Sequence, residues 1–122
     1  MLHKNIALEL LIDLEIMSKM TLSHERFYMD DKGRITEIHF NRAYSGKDIS
    51  DEVIANFCTK NHMHLKHMYL FNIYGSQAVQ LKNIEFLKLL PALRIIDAGK
   101  SNLSAASIKR IKKQFPYIEI KI

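Results

Sequence analysis

The sequence predicts an α/β chain built as a short solenoid: about three β-α repeats with a parallel sheet on a concave face, preceded by a capping helix and a hairpin. Three observations carry this expectation. An apolar spacing of five and then three residues occurs three times, as Ile49, Ile54, Phe57, then Val79, Ile84, Leu87, then Leu103, Ile108, Ile111. Each triplet follows a short segment that is apolar at relative positions one, four and six: Ile35, Ile38, Phe40; Leu65, Met68, Leu70; Leu93, Ile96, Ala98. Both prolines, in Leu90-Pro91 and Phe115-Pro116, fall between an expected helix and an apolar segment, where a residue lacking a backbone donor ends the helix. One such unit cannot bury its apolar edge alone, so the units must stack. Ile35 to Ile49 and Leu65 to Val79 are each fourteen residues apart and Leu93 to Leu103 ten, so the last repeat is expected to have a shortened loop.

The elements follow in chain order. Ile6, Leu10, Leu14 and Met17, with Ala7 and Leu11 beside them, give the stretch from Leu2 to Met20 an apolar helical stripe. Lys4, Glu9, Asp13 and Glu15 interrupt the run and no small-residue cleavage pattern follows, so neither a signal peptide nor a membrane span is expected. Residues 1–25 read as the cap over the open end of the first repeat, and residues 26–122 as the repeats, in one domain spanning 1–122. The polar turn Asp30-Asp31-Lys32-Gly33 between two apolar-containing runs signals a hairpin that adds an edge strand. Ser50 and Ser104 are placed as N-caps of helices over Asp51–Thr59 and Ala105–Gln114, while a middle helix, about Gln80 to Leu89, lacks so clear a cap. At the end, Ile118-Glu119-Ile120-Lys121-Ile122 alternates with period two, as a closing strand whose charges blunt the edge.

The segments Ile35-Thr36-Glu37-Ile38-His39-Phe40, Leu65-Lys66-His67-Met68-Tyr69-Leu70 and Leu93-Arg94-Ile95-Ile96-Asp97-Ala98 each fit L-x-x-L-x-L. From Gly33 to Ile122 the chain thus resembles the leucine-rich repeat in its longer, ribonuclease-inhibitor-like form. The family's buried Asn falls at Ala43, Ile73 and Ser101, and only the third of these is polar.

The formal charge of +5 divides unevenly, with eight Lys/Arg against ten Asp/Glu over residues 1–61 and ten against three over residues 62–122. Lys109, Arg110, Lys112 and Lys113 flank Ile108 and Ile111 and should face outward as a solvated helix surface. No aromatic residues are interleaved there, which argues against nucleic acid as the partner. The single cysteine, Cys58, reads as a packed apolar residue and fits a reducing, cytoplasmic setting. His62, His64 and His67 match no structural zinc spacing, so no metal is assigned. With four glycines and no nucleophile elbow, paired carboxylate motif or phosphate loop, neither a cofactor nor an enzymatic activity is expected.

In L-x-x-L-x-L the residues between the apolar positions face the concave side. Across the repeats they should form rows: Thr36, Lys66, Arg94; Glu37, His67, Ile95; His39, Tyr69, Asp97; and, just past the strands, Asn41, Phe71, Gly99. This mix of aromatic, apolar and charged groups suits a protein interface, so Glu37, His39, His67, Tyr69, Phe71, Arg94 and Asp97 are the candidate partner-binding residues. The resemblance implies a non-catalytic interaction module, an inhibitor or immunity-type protein that neutralises a toxin or enzyme. The alternatives are an assembly factor of a larger complex, or a nucleic-acid binder using the C-terminal basic surface. No membrane association is expected.

Overall fold

The fold is that of a computed structural model, described here for residues 2–22, 24–41 and 48–122. Helix α1 (Leu2–Ser18) leads through a 3₁₀ turn into the hairpin β1 (Phe27–Met29) and β2 (Ile35–His39). Then come α2 (Asp51–Lys60), β3 (Leu70–Asn72), β4 (Ile95–Asp97), α3 (Ala105–Gln114) and β5 (Glu119–Lys121). The strands lie in one sheet in chain order, with β1 antiparallel to β2 and every later neighbour parallel. The fold is therefore mixed α/β with a five-stranded, mostly parallel sheet.

Local chemistry explains most of the elements. Ser50 and Ser104 sit in extended backbone, and their hydroxyls accept from the N–H of Val53 and of Ser107, so both expected N-caps are present. The hairpin turn closes on Asp30, whose carboxylate accepts from Lys32 N and Arg34 N, each at 3.0 Å, and from Arg34 Nε at 2.7 Å. Those bonds, the backbone one from Arg34 first, hold the Asp30 carboxyl below its ordinary value against a smaller rise from desolvation. Gly33, at φ 76, supplies the left-handed residue that the turn requires.

The core lies under one face of the sheet. A row of phenyl rings runs through it, from Phe27 to Phe57 at 6.1 Å, on to Phe40 at 6.0 Å, then Phe71 at 5.0 Å and Phe86 at 6.2 Å. Helix α1 turns Leu10, Leu11 and Leu14 into this core and packs on α2, where Asp13 accepts from Lys60 Nζ at 2.7 Å and Asn61 Nδ2 at 2.8 Å. Its other face leaves Leu8, Ile12 and Ile16 largely in solvent, at 53, 47 and 68% exposure. Among the described residues no helix is long and apolar enough to cross a membrane.

Three expectations are corrected. The second strand segment lies three residues later than expected: Phe71 pairs with Ile38 on one side and Ile96 on the other. The segment in register with Ile35, Ile38, Phe40 is thus Met68, Phe71, Ile73, all fully buried, while Leu70 is only partly buried. Leu65 is also buried, but it occupies the turn before the strand. Its carbonyl accepts from Met68 N, as Leu90 accepts from Leu93 N and Phe115 from Ile118 N. Leu65, Leu90 and Phe115 recur every twenty-five residues, and Met68 to Val79 is only eleven, so the second loop is short as well as the third. The shift also moves the polar turn position from Ile73 to the buried Ser76, whose N–H bonds Ile73 O as that of Ser101 bonds Ala98 O. Ala43, assigned to that position in the first repeat, lies outside the described residues.

The second correction is the middle helix, which is only a 3₁₀ turn, Glu85–Leu89. The Asp51 carboxylate accepts the N–H groups of Gln80 and Leu81, and Leu81 stands at φ 51, so a helix cannot start there. The third is Ile108, which is only partly buried; Ser107 takes the inward place on α3 beside Ile111, donating its hydroxyl to Gln80 O at 2.7 Å.

Candidate partner-binding face

The sheet face opposite the core carries no packed helix among the described residues, and the pairing register fixes its rows. Glu37, Leu70, Ile95 and Glu119 form one. His39, Asn72, Asp97 and Lys121 form the next. At the leading ends, Tyr69 N donates to Thr36 O and Arg94 N to Tyr69 O, both at 2.9 Å, so Thr36, Tyr69 and Arg94 are neighbours. At the trailing ends, Asn41 Nδ2 donates to Tyr74 O at 3.1 Å and Gly75 N to Gly99 O at 2.8 Å.

The seven expected residues fare differently. Glu37 and His39 are half-buried and hydrogen-bonded to each other, and the His39 imidazole stacks on Tyr28 with centroids 4.8 Å apart. Tyr69 is 43% exposed and belongs beside Thr36 and Arg94, not in the His39 row. Asp97 does share the His39 row, two strands away, and its Oδ1 accepts from Gly99 N at 3.1 Å. On β3, Asn72 Oδ1 accepts the matching bond from Tyr74 N at 2.8 Å. Arg94 is exposed: Nη1 donates to the carbonyls of Pro91 and Leu93 at 3.0 and 2.8 Å, and the guanidinium lies over the Tyr117 ring at 4.8 Å. His67 is exposed in the turn before β3 and is not in the Glu37 row. Phe71 is not a surface residue at all; it has no exposure and packs between Phe40 and Phe86.

The register shift exchanges Phe71 for Leu70, which the sequence pattern assigned to the core, and sets it beside Ile95, which was expected on this face. Leu70 and Ile95 sit side by side, partly exposed, on the open face. Tyr28, Tyr69, Tyr74 and Tyr117 surround them, each 43–51% exposed. Tyr74 lies across Gly99 so closely that a Cβ there would stand 2.8 Å from its ring. The usable signal is the apolar residue three places before Met68, Leu93 and Ile118, marked by proline at Leu90-Pro91 and Phe115-Pro116 and by Lys66 after Leu65.

Comparison with known protein families, with curated proteins and with solved structures finds no match to this chain. The chemistry of the face is therefore read from its own residues. Burial alone pushes the Cys58 thiol far above its ordinary value, which leaves it protonated and unfit as a nucleophile. Among the described residues no group of three or more His, Cys, Asp or Glu is placed to hold a metal ion. His62 Nδ1 turns to the Thr59 carbonyl at 3.1 Å. On α3, Arg110 is not a free cation: its Nη2 donates to Leu81 O at 2.7 Å.

Proposed function

We propose that this chain is a non-catalytic protein-binding module, a small leucine-rich-repeat-type solenoid that docks a partner on the open face of its sheet. One observation carries the reading: every tyrosine among the described residues stands half-exposed around that face, with the apolar pair Leu70 and Ile95 at its middle. Tyrosine and arginine are enriched among interface anchors, and a partly exposed apolar pair ringed by them fits the centre of such a patch. The twenty-five-residue recurrence of Leu65, Leu90 and Phe115 and the matching turns at Ser76 and Ser101 support the repeat reading. With it comes the inhibitor or immunity-type role, in which the partner is a toxin or enzyme; an assembly-factor role uses the same face. The setting proposed is cytoplasmic, and neither a cofactor nor a membrane enters the mechanism.

The test is affinity capture with the whole chain and two double variants, followed by assay of the captured protein. Tyr69→Ala with Tyr74→Ala should lose the partner, each true anchor costing at least about 2 kcal/mol. Lys109→Ala with Lys112→Ala should retain it. The opposite pattern would place binding on the helical side, and a gel shift with generic nucleic acid that vanishes with added salt would then identify the partner class. Loss of the captured protein's own activity on adding the wild-type chain separates an inhibitor from an assembly factor.

A further inference from the structure

The turns that feed β2, β3 and β4 bring basic groups together at the leading end of the sheet. Arg34, His64, Lys66 and His67 line one open cleft of about 180 Å³, with Ile35 and Met63 between them. Arg34 spends only its Nε on Asp30, and the side chains of His64, Lys66 and His67 make no polar contact among the described residues. One strand further on, Arg94 is held over Tyr117 by its ring contact and by two backbone carbonyls on Nη1. Its Nε and Nη2 have no acceptor among the described residues. A guanidinium fixed in this way offers a planar two-pronged donor to a carboxylate and loses little freedom on binding one.

We propose that this leading edge, from Arg34 through Lys66 and His67 to Arg94, binds carboxylate side chains of the partner protein, an acidic segment of which lies along it. The inference rests on the reading of the open sheet face as a partner surface and adds the partner's chemistry. Acidic groups at this end are few: Asp30 is occupied by Arg34, and Asp31 stands in the exposed hairpin turn. Further along the same face come Glu37, Asp97 and Glu119. A nucleic-acid backbone, negative at every step, would be repelled there, whereas a protein segment places its carboxylates and its own cations to match.

The experiment measures fluorescence anisotropy of a labelled Glu-Ser repeat peptide, its Gln-Ser counterpart and a single-stranded oligonucleotide of equal charge, each with the full chain at low salt. The Glu peptide should bind and the Gln peptide should not. Lys66→Gln with Arg94→Gln should weaken binding at least about tenfold, and Lys109→Gln with Lys112→Gln by less than about twofold. Both mutated pairs are exposed, so unchanged melting curves confirm that folding is intact. Equal binding by wild type and the Lys66/Arg94 variant, loss with the α3 pair, or tighter binding of the oligonucleotide each overturns the proposal. The captured partner distinguishes the two readings. If Tyr69→Ala with Tyr74→Ala releases it while Lys66→Gln with Arg94→Gln does not, the face stands and the acidic segment falls. If neither pair releases it, both fall.

Discussion

Asp51 on α2 and Arg110 on α3 hold the same residue: the carboxylate accepts the Leu81 N–H at 3.0 Å, and the guanidinium donates to the Leu81 carbonyl at 2.7 Å. Leu81 needs both, because its φ of 51 is a conformation a side-chain-bearing residue avoids, and its side chain is 1% exposed.

Arg110→Ala should therefore destabilise the chain by about 1–2 kcal/mol, leaving a carbonyl without its partner, while Lys109→Ala next to it changes stability by less than about 0.5 kcal/mol. Urea melts of the two variants give the comparison directly. Equal losses would mean that Arg110 is one more solvated charge on α3.

Phe71→Ala and Tyr69→Ala distinguish the observed register from the one read in the sequence. Removing the buried ring between Phe40 and Phe86 should cost about 3–5 kcal/mol. The exposed Tyr69 should cost less than about 1 kcal/mol. Denaturant midpoints in the reverse order would restore the earlier register.

The link between α1 and α2 should respond to acid. Burial alone would raise the Asp13 carboxyl, but the hydrogen bonds from Lys60 and Asn61 and the Lys60 charge outweigh it and hold the group below 3.8. A carboxyl depressed on folding stabilises the chain above its unfolded value and loses that contribution as pH falls through the folded one. Asp13→Asn should thus lower stability by about 1 kcal/mol near pH 7, with the gap to wild type narrowing as the pH falls below 3.8. A gap independent of pH would show that packing, not charge, is what the substitution disturbs.

Cys58 should be inert in the native state. Its side chain has no exposure and desolvation keeps the thiol protonated, so a thiol reagent should react only as fast as the chain unfolds. Rapid stoichiometric labelling in buffer would contradict the packing of α2.

What could be read in the sequence was what neighbouring residues decide. Ser50, Ser104 and the Asp30-to-Gly33 turn act within a few residues of themselves, and all three appear as expected. The second repeat was ambiguous because both Leu65, Met68, Leu70 and Met68, Phe71, Ile73 have the same apolar spacing. Packing of Phe71 against rings on two other elements chose between them. The middle helix failed for a similar reason, since the carboxylate that claims its first N–H groups lies about thirty residues earlier. Arg94 and the shared row of His39 and Asp97 could be placed from their strands, but Tyr69, Leu70 and Tyr74 could not, because their positions depend on that register.

Strand order that copies chain order has a consequence for how the molecule comes into being. Each strand pairs with the one made just before it, so no edge waits for a distant segment to be synthesised. The next strand to be made is always the next partner, so a chain emerging from the ribosome can lay down its sheet one strand at a time. At the β5 edge, the outward Glu119 and Lys121 offer an incoming strand charge instead of an apolar surface.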